Sequence, residues 1–281
     1  MRAFVTGDTH GEIEEFCQRI DWMLGRKDND GFIADTNTVL IILGDFGGNF
    51  GGEYLKHDIE FKQSLQDIGI TYFVIRGNHD QRPSNLYNGD TWHMENLFDG
   101  PTFVENQFPN IHYAMDYPWV YNIEGKKTLV LPGAYSIDKD WRINHEKIFG
   151  VRSWFADEQM TPAEREYVWT LCRLNDYKFD VILSHTCPWA RIPRYSPNIP
   201  ISGKVDNTME YLFDDIDQKV DYKSWLWGHH HEDEGYEYNN HHNACLYTTI
   251  KNFNRMIEDG FYYKRMEIAD TFLNTGSDLN G

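Results

Sequence analysis

Four cysteines are scattered through 281 residues (Cys17, Cys172, Cys187 and Cys245), and no two stand at CxxC spacing. A disulfide framework and a thiolate zinc site are therefore not expected, and a reducing compartment fits. No long apolar run is present. The strongest, Val39 to Leu43, falls far short of the ~20 residues that span a bilayer. The opening MRAFVTGDTH has neither an extended apolar stretch nor a cleavage site, so no secretory leader is expected and the cytoplasm is the expected location. Positive charge is also scarce: 26 Lys and Arg stand against 44 Asp and Glu, a formal net charge of -18. That argues against a protein that grips long duplex nucleic acid, which needs clustered basic side chains. It leaves open an enzyme that meets an anion at a local positive centre such as bound metal.

What is present reads as a globular chain, 41% hydrophobic and 15% aromatic. At this length roughly three quarters of the unfolded surface is buried on folding, so the core needs no cross-links. No internal repeat or low-complexity linker divides the chain. The expectation is one domain over residues 1–268 with a polar tail at 269–281.

Short β-branched or aromatic runs recur between Gly, Asn and Asp. Arg2–Thr6, Val39–Leu43 and Tyr72–Ile75 alternate with helical patterns at Ile13–Leu24 and Tyr54–Ile68, the order of a parallel sheet with crossover helices. Phe103–Val104, Ile111–Ala114, Trp119–Ile123 and Lys127–Leu131 lie close together and predict an antiparallel meander. Pro162–Leu174 is a helix with Thr161 at its cap and Glu164 three residues on. Further strands are expected at Val181–Leu183, Trp225–Trp227, Gly235–Tyr238, Ala244–Thr249 and Phe261–Ile268. These elements make one α/β domain of two sheets, parallel in its first half and antiparallel in the remainder.

The informative residues stand just beyond the ends of the apolar strands. AFVTG ends in Asp8-Thr9-His10, VLIIL in Gly44-Asp45, and YFVIR in Gly77-Asn78-His79-Asp80. DVILS ends in His185, and SWLW in Gly228-His229-His230-His231. Ligands bind outside the carboxyl ends of strands in open α/β sheets. Asp8, His10, Asp45, Asn78, His185, His229 and His231 are oxygen and nitrogen donors that suit Mn, Fe, Zn or similar divalent ions. In an extended His229-x-His231 segment both rings face one way, with His230 turned aside. Seven ligands are too many for one ion and about right for two, the arrangement that clamps both oxygens in a phosphoryl displacement.

The series Asp8-x-His10, Gly44-Asp45, Gly77-Asn78-His79-Asp80, His185 and Gly228-His229-x-His231 resembles the calcineurin-like metallophosphoesterase superfamily. The resemblance implies a two-sheet α/β sandwich of mixed parallel and antiparallel strands with flanking helices. It implies a phosphoric mono- or diester hydrolase with two divalent ions, Mn²⁺ foremost, with Fe, Zn or Mg as alternatives. By that pattern Asp8, His10, Asp45 and His231 hold one ion, and Asp45, Asn78, His185 and His229 the other. Asp45 bridges, a bridging hydroxide is the nucleophile, and His79 is the general acid or transition-state stabiliser, oriented by Asp80. Within the superfamily, Gly7–Gly11 and Arg76–Asp80 are similar to the branch of protein phosphatases and diadenosine tetraphosphate hydrolases. Arg76 would then be a phosphate fork. Gly47-Gly48 departs from that branch, where an acidic residue and an Arg follow the bridging Asp, and this weakens a transfer of protein-phosphatase activity. The segment Gly133–Arg142 is similar to bacterial and phage members and offers Arg142 as a second phosphate contact, with a surface salt bridge as the alternative. Expected substrates are a phosphorylated small molecule, a nucleotide or a phosphoprotein, without membrane association. A non-catalytic metal-binding scaffold is the rival reading. Trp189 and Tyr195, in the loop Cys187–Pro200, are candidates for a pocket roof, with an ordinary structured loop as the alternative, and the sequence leaves open whether residues 81–145 form a lid.

Overall fold

The computed structural model describes residues 1–24, 37–49, 55–150, 152–193 and 205–261. Two sheets pack face to face. The first has seven strands in the order β13-β1-β2-β3-β6-β5-β4: β1 (Arg2–Thr6), β2 (Thr38–Ile42), β3 (Thr71–Val74), β4 (Trp92–Leu97), β5 (Gly100–Glu105), β6 (Ile111–Ala114) and β13 (Lys251–Asn252). The second has six in the order β11-β12-β10-β9-β8-β7: β7 (Trp119–Ile123), β8 (Lys126–Leu131), β9 (Val181–Ser184), β10 (Ser224–Trp227), β11 (Glu234–Tyr238) and β12 (His241–Cys245).

The layers arise from period-two alternation along each strand. Ala3, Val5, Val39, Ile41, Phe73, Val130, Val181, Leu183 and Leu226 point inward and form the core between the sheets. Their neighbours Phe4, Leu40, Ile42, Tyr72 and Val74 point outward, against Phe16 and Ile20 of α1 (Ile13–Met23) and Phe61 and Leu65 of α2 (Leu55–Ile68). On the other outer face, Leu129, Ile182, Trp225 and Trp227 meet Val168 and Leu171 of α5 (Pro162–Leu174) and Phe213 and Ile216 of α6 (Thr208–Lys219). Strands covered on both faces must be apolar at every position, which is why TVLII of β2 is buried throughout. The short α3 (Pro83–Leu86), α4 (Lys139–Phe149) and α7 (Phe253–Glu258) complete the described fold. No helix among the described residues is long and apolar enough to cross a membrane.

Three expectations need correction. The four central runs are not one meander: β5 and β6 join the first sheet beside β4, while β7 and β8 form a hairpin on the second. The second half is not antiparallel, because β8, β9, β10 and β12 run parallel and only the edge strands β7 and β11 are reversed. Its buried strands VILS and SWLW carry the continuous burial of a parallel sheet, and the helices between them are the crossovers. The strand expected at Ala244–Thr249 starts and ends earlier, as β12. Tyr54, Tyr195, most of Phe261–Ile268 and the 269–281 tail lie outside the described residues.

Candidate metal centre

The carboxyl ends of β1, β2 and β3 in one sheet meet those of β9 and β10 in the other. The loops there are stitched together by main-chain hydrogen bonds. The Thr9 and His10 amides donate to the Asp45 carbonyl at 3.1 and 2.8 Å, and Gly11 N–H donates to Phe46 O at 3.1 Å. Four of the seven expected ligands have left-handed backbone: His10 (φ 49°), Asp45 (46°), His229 (66°) and His231 (53°). Side chains rarely adopt this conformation, and such residues gather at functional sites. The glycines before the ligands are there for space. A Cβ on Gly44 would lie 2.2 Å from His185 Nδ1, and one on Gly77 would lie 2.1 Å from Asp45 Oδ1.

Two groups of ligand atoms result. At the outer one, His231 Nε2 lies 3.1 Å from Asp8 Oδ2 and 2.9 Å from His10 Nε2, and His10 Nε2 is 3.8 Å from the same carboxylate oxygen. The hydrogen bond to Asp8 raises the His231 pKa, and Tyr247 stacks on its ring at 4.6 Å. The inner group joins Asp8, Asp45 and His185, all buried. His185 Nε2 lies 3.4 Å from Asp45 Oδ1 and 2.8 Å from Asn78 Oδ1. Asp8 is the carboxylate common to both groups. The outer group reaches solvent at His231 and the inner one does not.

These donors fit a cation. His185 Nδ1 is 2.6 Å from the Leu43 carbonyl, which can only accept, so Nδ1 carries the proton. Nε2 faces two oxygen acceptors, to which it donates when protonated and beside which its lone pair would serve a bound cation. Burial opposes charge on this imidazole, but Asp45 and Asp8 lift its pKa to about 9. Asp45 is likewise pulled two ways: burial raises it, while His79, His185 and His10 hold it well below the usual carboxylate range. The pocket is thus built to attract positive charge.

His229 sits beside this pair. Its ring is 5.0 Å from that of His185, and its amide donates to Asp8 at 3.0 Å. Burial, with His185 next, depresses its pKa. His230 turns away toward Cys187 Sγ, 3.4 Å from its Nε2. His79 is buried next to Asp45, Nε2 to Oδ2 being 3.8 Å. Burial pushes its pKa down to about 4 against the pull of Asp45, and Arg142 adds to the depression. Asp80 is not on the His79 ring. Its carboxylate accepts the amides of Gly77, Phe46 and Gly47 at 2.8, 3.2 and 3.3 Å, tying together the loops after β2 and β3. Arg76 is not presented as a fork either. It is 2% exposed and donates to Glu158 O at 2.6 Å. Arg142 of α4 pairs with Asp138 at 2.8 Å, the expected alternative, while its charge still reaches His79. Trp189 is half exposed and packs on Tyr211. Sequence reasoning missed Ser136 and Glu158, which hold Asn78 from behind. Ser136 lies inside Gly133–Arg142, a segment that drew attention only for its arginine.

The sequence profile of the calcineurin-like phosphoesterases matches residues 1–233. This chain belongs to the calcineurin-like phosphoesterase family. The family comprises metal-dependent phosphoester hydrolases, and the two-sheet sandwich is its fold. No curated protein matches this family member. Among solved structures it resembles phosphopantetheinyl hydrolase from Mycobacterium tuberculosis, with 12% identity, TM-score 0.42, and 88% of this chain and 89% of that one covered. It also resembles a putative 5'-nucleotidase from Staphylococcus aureus, with 9% identity and TM-score 0.44, over 88% of this chain and 49% of that one. A third is GAP50, the anchor in the inner membrane complex of Plasmodium, with 12% identity, TM-score 0.41, and coverage of 88% and 71%.

Proposed function

We propose that this phosphoesterase hydrolyses phosphate monoesters or diesters at a dinuclear metal centre. Asp8, His10, Asp45 and His231 would hold the outer ion, and Asp45, Asn78, His185 and His229 the inner one. The observation that carries this reading is the meeting of His185 Nε2, Asn78 Oδ1 and Asp45 Oδ1 beside the outer group. Asp45 would be shared by the two ions, because His185 of the inner group and His10 of the outer one both act on its carboxylate, while Asp8, which lies within reach of both groups, would serve the outer ion. When bound, divalent ions (Mn²⁺ first, with Fe, Zn and Mg as alternatives) supply an activated water and a positive seat for the phosphoryl oxygens.

The chain's own residues do the rest. His79 stands next to Asp45 and is the proposed general acid or transition-state stabiliser, and the neutral ring that its burial favours suits a hydrogen bond to the charge developing on the departing oxygen. Asp80 holds the loops that carry Asp45 and Asn78. Arg142 is the proposed phosphate contact, turned from Asp138 to the anion. Substrate enters at the exposed His10/His231 side. A phosphorylated small molecule, a nucleotide or a phosphoprotein suits this opening, whereas long duplex nucleic acid meets a chain of charge -18.

The test uses chelator-stripped protein resupplied with Mn²⁺, given a nitrophenyl monoester and a bis-nitrophenyl diester. Turnover of either supports the reading, and the ratio sets the ester class. Two bound ions per chain with no turnover of these or of phosphopeptides and nucleotides would favour a metal-binding scaffold instead.

A further inference from the structure

We infer that Ser136 and Glu158 are positioning residues that hold the Asn78 amide with its oxygen toward the inner ion position. The inference rests on the proposed dinuclear centre and deepens it.

Glu158 is 4% exposed. Its carboxylate accepts twice from Ser136: the amide N–H at 3.1 Å and the hydroxyl at 2.5 Å. Glu158 Oε2 accepts from the Ser136 hydroxyl, so that proton is committed to it. What Ser136 Oγ can then offer is a lone pair. Asn78 Nδ2, 2.9 Å away, fills it as donor. The second amide hydrogen faces the His79 ring nitrogens at 3.1 and 3.2 Å. With the nitrogen end held on that side by Ser136, the other end of the amide is oxygen, and it lies 2.8 Å from His185 Nε2.

Direction matters here because the two ends of an amide have opposite chemistry. Oxygen opposite Nε2 accepts the ring N–H, and an ion that takes the place of that proton is held by the oxygen and by the Nε2 lone pair together. A flipped amide would instead donate N–H to Nε2. The two side chains would then satisfy each other and close the inner position. Cutting the relay at Ser136 removes the acceptor that makes the flip costly. The relay is itself anchored: Arg76 donates to the Glu158 carbonyl at 2.6 Å, and Gly133 N–H donates to Arg76 O at 2.8 Å. The arginine two residues before Asn78 thus fastens the segment that orients Asn78.

The experiment is calorimetric titration of Mn²⁺ into chelator-stripped full chain, with a melting curve for each metal-free form. Wild type binds two ions. Ser136→Ala keeps the outer ion and loses about 10–100-fold in affinity for the inner one, the usual size for groups that orient a ligand from behind. Ser136→Thr, which keeps the hydroxyl, restores most of it. Glu158→Gln weakens the inner ion as well, and carries the test should Ser136→Ala fail to fold. Unchanged affinity for both ions in a folded Ser136→Ala or Glu158→Gln chain overturns the inference alone. Fewer than two ions on wild type overturns the dinuclear reading beneath it.

Discussion

Asp45 combines three costs at one residue. Its carboxylate is buried, its backbone is left-handed, and the backbone at Gly77 runs so close that no side chain fits there. Each is unfavourable for folding, and they fall together where charge is wanted. Asp45→Asn removes the negative charge that the imidazoles surround, so metal content by elemental analysis and activity should both collapse. His79→Asn should retain two ions and lose about 10²–10⁴ in rate, the range of general acid–base catalysis. Equal metal loss in both variants would place His79 among the ligands. Glu210 tests burial rather than chemistry. Burial lifts its carboxyl to about 7 from 4.5, although Thr186 Oγ1 donates to it at 2.9 Å. Unfolded chain releases that proton first, so this group's contribution to stability is present below pH 4.5 and lost as pH rises toward 7. Glu210→Gln should leave stability at low pH little changed and add up to about 3 kcal/mol at pH ~8. Urea titrations at the two pH values read the difference.

At the scale of elements, the helices differ in how plainly they are written in the chain. α5 is self-announcing: Thr161 accepts from Glu164 N–H, and Glu164 returns to the Thr161 amide, a capping box that closes its first turn. α4 has no buried residue and no side-chain cap, and α6 also lacks a side-chain cap, so local pattern did not mark them. α2 is fastened by a feature that periodicity cannot reveal. Lys62, fully buried, donates to Asp58, Glu105 and Asn49 at 2.9, 2.8 and 3.0 Å. It joins the helix to β5 and to the loop beyond Asp45. Lys62→Ala would leave two carboxylates facing each other without a cation, and should cost about 3–5 kcal/mol by thermal or urea unfolding. A loss below about 1 kcal/mol, the size of an exposed ion pair, would mean that water replaces the lysine.

For the whole molecule, charge and metal are linked. A chain of net charge -18 gathers carboxylates and imidazoles at one edge of its sandwich, and cations bound there relieve that crowding. Ions that bind only the folded form should raise the melting temperature of chelator-stripped protein, by about 2.7 kcal/mol of stability at a hundredfold excess over Kd. No rise with Mn²⁺, Zn²⁺, Fe²⁺ or Mg²⁺ would contradict a built metal centre. Much of the fold and site was legible in the chain. Apolar runs ending in Asp, Asn or His located every strand that delivers a candidate ligand, because a strand's direction and burial are local properties. Pairing is not local. The sequence could not say that Lys127–Leu131 runs parallel to Val181–Ser184, nor that Trp119–Ile123 leaves the sheet joined by Ile111–Ala114. Nor could it say which polar atom faces which. Asp80 and Arg76, near ligands in the chain, turn to the main chain. Ser136 and Glu158, far from Asn78 in sequence, decide which end of its amide faces the centre. Residue type and order determined the kind of chemistry this protein performs. Only the packing of two sheets, which sets the direction of each hydrogen bond, decided which residues come together.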